Sequence, residues 1–349
     1  MRISSHWKSC VLAGGLAAAA PVFAADGPDD TQARVSAAAA QLAADMARLC
    51  PVADPGDSAA YEACRKGLYA DSSFKRVLSP YVLWGRQRDP AITLKDSKLT
   101  QFGPDVLTGL YASLFMFNGK HDVVYVEREG LWQVRLQAAF RNRLAPGQFP
   151  YPFWHEAEKW AMYEKANEVI LWWDAKTSRI KVAQFTVFGK NEPLVASAHV
   201  TPPAFDGKWM WTDAQGKTQP IVTLFDGLLR ADNPYAPKVE TAYRSFALKL
   251  REGQCFDCHV PNNPNGMKKL VLLQTPMHAA AEIKRVMKSV RDDRMPRDKQ
   301  DNEVPLEPKL KDALLAEGAA FERVLDSARQ WEAERSAGTD SMLKSTTAR

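Results

Sequence analysis

Two cysteines and a histidine stand within five residues of one another in the stretch CFDCH, residues 255–259 of the 349-residue chain. Two residues separate Cys255 from Cys258, and His259 follows directly. Because the whole chain has only five cysteines, this pairing constrains the folded structure more than any other feature. Two thiols at this spacing are suited to a redox-active disulfide, to half of a zinc site, or to thioether bonds with the two vinyl groups of a haem.

The surrounding sequence favours the haem. A zinc site would need a second ligand pair, and the chain has no other CxxC and no HxxxH. A dithiol oxidoreductase needs no histidine at the next position, and its CxxC usually opens a helix after a strand, whereas a helix is predicted before Cys255. Haem attachment uses all three residues, with Cys255 and Cys258 as the thioether sites and His259 as the proximal iron ligand. We therefore predict one covalently bound haem c.

Met295 is the leading candidate for the distal iron ligand. It lies 36 residues after His259, directly before Pro296, in the loop predicted to follow a helix. Proline keeps the backbone extended and offers no competing N–H, so the thioether can project from the loop. A methionine ligand stabilises ferrous iron and raises the potential. His278 is an alternative that would give a bis-histidine site of lower potential, and an open sixth position is the third possibility.

The order of these features resembles that of a class I c-type cytochrome. A helix runs into the CxxCH, a second helix precedes the Met295–Pro296 loop, and an amphipathic helix spans about 306–328. The stretch 295–319 also resembles the ending of short bacterial members of that family. The segment between the two ligands is shorter than in many members.

The resemblance implies a small all-α haem domain in which the first and last helices cross in contact and cover one haem edge. It also implies that the Met-Pro loop supplies the distal ligand. It covers about a quarter of the chain and implies nothing about residues 25–235.

The first 24 residues have the layout of a secretory signal peptide. Arg2 and Lys8 precede a small and apolar run, and the Val22-Phe23-Ala24 end predicts cleavage near Ala24. This organisation predicts export to the periplasm, and no later stretch is long enough to span a membrane. Loss of the two basic residues lowers the net charge from +5 to +3, which is too small for nucleic-acid binding.

Residues 25–235 are expected to form an α+β domain. The spacing predicts a helix over 103–119, a strand over 121–127 and a hairpin over 168–188. Near the start, two helices joined by a short turn would bring Cys50 close to Cys64, which predicts a disulfide in an oxidising compartment. The resulting organisation is a signal peptide (1–24), an α+β domain (25–235), a cytochrome c-like haem domain (236–332) and a disordered polar tail (333–349).

Positive charge concentrates beside the CxxCH. Residues 267–299 hold nine basic and four acidic residues, an excess larger than that of the mature chain. Such a surface would steer a redox partner with an acidic docking surface to the haem edge, or hold the haem propionates; the alternative is a solvated helix face. The basic residues are Lys268, Lys269, Lys284, Arg285, Lys288, Arg291, Arg294, Arg297 and Lys299.

One aromatic stretch leaves the role of the N-terminal domain open. PGQFPYPFWHEAEKW, residues 146–160, would line a pocket in which His155 binds a ligand or shuttles a proton, or would simply pack the domain.

Three functions are therefore compatible with the sequence. The first is a mono-haem electron carrier. The second is a haem enzyme or oxidoreductase subunit whose N-terminal domain binds a small-molecule substrate, and the third is a haem-based sensor. The Met-Pro loop and the helix after it favour the electron carrier over an enzyme.

Overall fold

A computed structural model of the protein describes residues 28–97, 99–144, 163–198, 210–212, 218–220, 229–230, 232–259, 276–298 and 300–346. The predicted signal peptide, residues 1–24, and the aromatic stretch 146–160 with His155 lie outside the described residues. The backbone of His278 is described but its side chain is not, and the same holds for the side chains of 336–346.

The N-terminal part is a mixed α+β structure, as predicted. Short 3₁₀ turns at Leu94–Asp96 and Glu127–Glu129 connect strands. An irregular helical segment, with a π turn at Leu107–Tyr111 and a 3₁₀ turn at Ala112–Leu114, joins the strand that ends at Phe102 to the strand that starts at Phe115. The helices are α1 (Pro28–Leu49), α2 (Ser58–Tyr69), α3 (Ser73–Val77) and α4 (Pro104–Val106). The strands are β1 (Leu78–Arg86), β2 (Thr100–Phe102), β3 (Phe115–Val126), β4 (Leu131–Phe140), β5 (Glu168–Asp174), β6 (Arg179–Thr186), β7 (Met210–Thr212) and β8 (Thr218–Pro220).

Six of these strands form one sheet in the order β2-β1-β6-β5-β4-β3. The β1–β6 pair is parallel and the other pairs are antiparallel. All seven residues of β5 are buried, which explains its continuous apolar run, since a central strand is covered on both faces. β5 and β6 form the hairpin predicted over 168–188, and its turn includes Ser178 at a positive φ of 52°.

A disulfide between Cys50 and Cys64 joins the end of α1 to α2. This is the pair named from the sequence, and both cysteines are fully buried. The backbone N–H of Phe117 donates to the carbonyl of Cys50 at 2.8 Å, so the same turn is also attached to β3. The two helices are thereby held on the edge of the sheet.

Three long helices follow the sheet: α5 (Ala236–Glu252), α6 (Pro276–Arg291) and α7 (Pro308–Thr346). α5 packs on α7 through stacked rings of Phe246 and Phe321, whose centroids are 6.0 Å apart, and α6 packs on α7 as well. Most buried apolar residues of these helices and of the sheet form one contiguous cluster, and a smaller second cluster contains Leu99, Ile170, Trp172 and Val182. An ion pair joins the two parts, because Asp105 of the N-terminal part, which also pairs with Lys75 at 2.8 Å, accepts from Arg329 of α7 at 2.7 Å.

Two elements differ from the sequence prediction. The helix expected over 103–119 ends at Leu114, and β3 starts at Phe115 because the Phe115–Phe117 run pairs with β4 and is buried there. A short apolar run is compatible with either element until its partner is known. α7 continues to Thr346 and so extends through most of the segment that the sequence analysis assigned to a tail. No helix in the described part of the chain is both long and apolar enough to cross a membrane.

Candidate functional site

The CFDCH stretch forms a tight turn at the end of α5. The helix ends where Gly253 N–H donates to the carbonyl of Lys249 at 3.0 Å, and Gln254 follows in the left-handed conformation at φ 56°. A 3₁₀ turn over Cys255–Asp257 comes next, and the backbone N–H of His259 donates to the carbonyl of Cys255 at 3.0 Å. Residues three apart eclipse in a 3₁₀ turn, so Cys255 and Cys258 project to the same side.

Both cysteines are half-buried thiols, and neither is part of a disulfide. Burial raises the pKa of the Cys255 thiol to about 12. A catalytic dithiol instead has a lowered pKa, because the thiolate is the nucleophile. The raised pKa of Cys255 therefore disfavours a thiolate nucleophile at that sulfur.

A second segment, residues 292–306, brings Met295 to the same place. α6 ends at Arg291, and Arg294 N–H donates to the carbonyl of Ser289 at 2.9 Å while Asp293 takes a positive φ of 53°. Met295 follows as a half-buried residue, and its peptide bond to Pro296 is cis.

The loop after Met295 is closed by its own hydrogen bonds. Val304 N–H donates to the carbonyl of Pro296 at 3.0 Å, and Asp298 accepts from the backbone N–H of Asn302 at 2.8 Å and from its side chain at 3.0 Å. The hydrogen bonds from Asn302 hold the pKa of Asp298 below its ordinary value. Arg297 bridges the loop by pairing with Glu303 at 3.1 Å. These contacts set the position of the backbone that carries Met295.

The two segments line one cavity of about 420 Å³. Cys255, Cys258, His259 and Met295 all line it. The structure thus brings together four of the residues selected from the sequence, although 36 positions separate His259 from Met295. The remaining lining is Gly253, Gln254, Asp257, Val290, Pro296, Arg297, Asp298, Gln300, Val304 and Leu306.

Several lining residues were not identified from the sequence. The sequence placed Arg297 only in a basic region and Leu306 only at the start of a predicted helix, and it indicated no role for Gln300 and Val304. Their role depends on how the 296–304 loop folds back on itself, and neither residue type nor spacing signals that turn. His278 lies on α6, and its side chain is outside what the structure describes, as are residues 260–275.

Much of the charge near the cavity is paired locally. Arg285 pairs with Glu282 at 3.2 Å and Lys288 with Asp292 at 2.6 Å, and both acidic partners lie on or just after α6. Lys284, Arg291 and Arg294 are exposed, and the last two flank the cavity-lining residues Val290 and Met295. Lys268, Lys269 and Lys299 lie outside the described residues. Within the described ranges, no group of three or more His, Cys, Asp and Glu side chains is arranged to hold a metal ion.

Comparison with known proteins adds no relative to this description: no protein-family model, no curated protein and no solved structure matches the chain.

Proposed function

We propose that the protein is an exported mono-haem c-type cytochrome that transfers electrons through a covalently bound haem. The observation that carries this proposal is the cavity shared by the CFDCH turn and the Met295 loop. The export signal predicted over residues 1–24 makes the periplasm the proposed location, and the small all-α haem domain proposed here comprises residues 236–332.

The residues around the cavity fit the chemistry of haem c. Its volume of about 420 Å³ falls within the range of about 300–1,000 Å³ typical of small-molecule and cofactor sites. Two thiols, one imidazole and one thioether line the same space, which is the donor set of a His/Met haem c. Cys255 and Cys258 would hold the group covalently, and His259 and Met295 would be the axial ligands. His278 remains the alternative to Met295.

When bound, the haem supplies a one-electron iron couple. The chain sets the properties of that couple. The buried Val290 and the half-buried Leu306 line the cavity with apolar surface, which favours the less charged, reduced state, and the exposed Val304 lines its rim. Arg297 and Gln300 line the same cavity and would donate hydrogen bonds to the propionate carboxylates of the haem.

We further propose that the electron partner is a protein with an acidic docking surface. Arg291 and Arg294 are exposed next to cavity-lining residues, so their charge lies where a partner would approach. Attraction between such surfaces accelerates association and weakens with salt. The rate of electron exchange with an acidic cytochrome should therefore fall as ionic strength rises, and Arg291→Gln with Arg294→Gln should flatten that dependence.

Haem attachment itself is tested on the full chain made in a host with a c-type haem-attachment system. The denatured protein should retain its haem on a gel stained for peroxidase activity. Extraction with acidified organic solvent should leave the haem on the protein. A colourless product, or one that loses all pigment to the solvent, would refute the proposal.

A haem enzyme or oxidoreductase subunit is the second candidate. It is favoured by a separate cavity in the N-terminal part, at the end of β4, because a carrier needs no substrate site. If reduced protein binds CO without any substitution at Met295, the electron carrier is refuted in favour of a haem enzyme or a haem-based sensor, and only the enzyme would turn over a substrate.

A further inference from the structure

A second cavity, of about 250 Å³, lies in the N-terminal part of the molecule. The end of β4, the residues before β5 and the loop 187–197 enclose it, and it shares no lining residue with the cavity at Cys255. Much of its lining is apolar, with Ala138, Ala139 and Phe140 from β4 and the exposed Val187 and half-buried Leu194 from the loop, and the polar residues Asn167 and Ser197 line it as well. Two charged residues also line it: Glu164 is half-buried and Lys165 is exposed.

Asn142 contributes an unsatisfied acceptor to this lining. The residue is 1 % exposed, and its Nδ2 donates to the carbonyl of Ala196 at 3.2 Å. This bond fixes the orientation of the amide, because only the nitrogen can donate. Its Oδ1 is buried and has no hydrogen-bond partner. A buried acceptor without a donor is unfavourable, so a native site with this arrangement calls for a partner that supplies one.

We propose that this cavity binds a small neutral molecule with an apolar body and one O–H or N–H donor that bonds to Asn142 Oδ1. The volume is below the range typical of drug-sized ligands, which indicates a single ring or a short chain. The apolar part of such a ligand would contact the alanine, valine and leucine side chains that line the cavity. The inference does not depend on the haem.

The donor requirement is tested with two probes of nearly the same shape, phenol and toluene, which differ in the hydroxyl group. Binding is followed on the full chain by chemical-shift changes and titration calorimetry. Phenol should bind about tenfold more tightly, the factor that one hydrogen bond supplies. Asn142→Leu removes the acceptor at similar volume and should abolish this preference. Asn118→Leu, the same change on β3 outside the cavity, should leave it unchanged.

A second variant locates the site even if Asn142→Leu does not fold. Leu194→Trp enlarges a half-buried loop residue that lines the cavity, so it should block both probes. Equal affinity of the wild type for phenol and toluene, a preference that persists in Asn142→Leu, or unchanged binding to Leu194→Trp would each overturn the proposal. So would the absence of binding by either probe in the millimolar range, since the cavity would then hold solvent alone.

Discussion

Cys258 lines the cavity because the 3₁₀ turn after α5 places it three residues from Cys255 on the same side. Replacing Cys258 by alanine removes one of the two attachment sulfurs and leaves the turn intact. We expect Cys258→Ala to lose most of its covalently retained haem on a stained denaturing gel. Asp257→Ala, between the two cysteines, should retain it. Full retention in Cys258→Ala would show that this sulfur takes no part in attachment.

Met295 is held by a loop whose hydrogen bonds do not involve its own side chain. Met295→Ala should therefore keep the haem attached, lower the reduction potential and allow the reduced protein to bind CO, since the thioether ligand is lost. Spectroelectrochemistry and CO titration measure these effects.

Met287→Leu is the matched control, because Met287 is buried on α6 and does not line the cavity. It should change neither property. If Met295→Ala has an unaltered spectrum and potential, then His278 or another group is the distal ligand.

At the scale of the elements, the disulfide holds α1 and α2 together. The cysteines are 14 positions apart, and a loop of about 15 residues contributes about 3 kcal/mol of stability by restricting the unfolded chain. We expect the Cys50→Ala, Cys64→Ala double variant to lose about 3 kcal/mol in the free energy of unfolding, measured with urea. Reducing agent should have a similar effect on the wild type and none on the double variant.

The packing of α7 depends on one position without a side chain. A Cβ at Gly318 would clash with Met287 Sδ and lie 3.1 Å from Phe246 Cε2, so a larger residue fits only if the Met287 side chain moves and the contact between α7 and the Phe246 ring of α5 gives way. Gly318→Val should cost about 1–3 kcal/mol of unfolding free energy, the usual range for overpacking. Gly189→Val is the comparison, since nothing lies within 4 Å of a Cβ there. Equal stability of the two variants would contradict this packing.

At the scale of the whole molecule, the sheet and the C-terminal helices meet at a buried carboxyl group. Glu282 of α6 is 3 % exposed, its Oε1 has no hydrogen-bond partner, and a Cβ at Gly103 of the N-terminal part would lie 3.4 Å from that oxygen. Burial raises the pKa of Glu282, and the neighbouring Arg285 opposes that rise only in part. Arg285 in turn lies over the ring of Tyr81 in β1, at 4.0 Å from its centroid.

This pKa shift has a definite sign for stability. The folded state holds the proton more tightly than the unfolded state, so stability is highest below the ordinary pKa and falls as pH rises through the interval up to the raised value. Glu282→Gln should remove that fall, which urea unfolding at several pH values would detect. Glu252→Gln, at an exposed glutamate, should keep the wild-type profile. If the unfolding free energy of Glu282→Gln depended on pH as that of the wild type does, the pKa of Glu282 would not be raised in the folded protein.

Residue spacing was sufficient to predict most of the helices, the β5–β6 hairpin and the Cys50–Cys64 pairing. These features depend on contacts within about 20 residues, so amphipathic periodicity and turn residues signal them directly. The helix wrongly extended to Gly119 marks the limit of this reasoning. Phe115, Met116 and Phe117 are buried by pairing with β4, and periodicity in three residues does not reveal a distant partner.

The chemistry of the CFDCH stretch and the choice of Met295 were likewise evident from residue identity and order. The cavity that unites them was not, because it requires the Arg297–Glu303 and Asp298–Asn302 contacts to fold the loop back beside the turn after α5. The orphaned oxygen of Asn142 and the buried carboxyl of Glu282 were equally invisible in the chain. Burial and hydrogen-bond satisfaction depend on residues brought together from distant segments, so they exist only once the sheet and the helices have packed into one core.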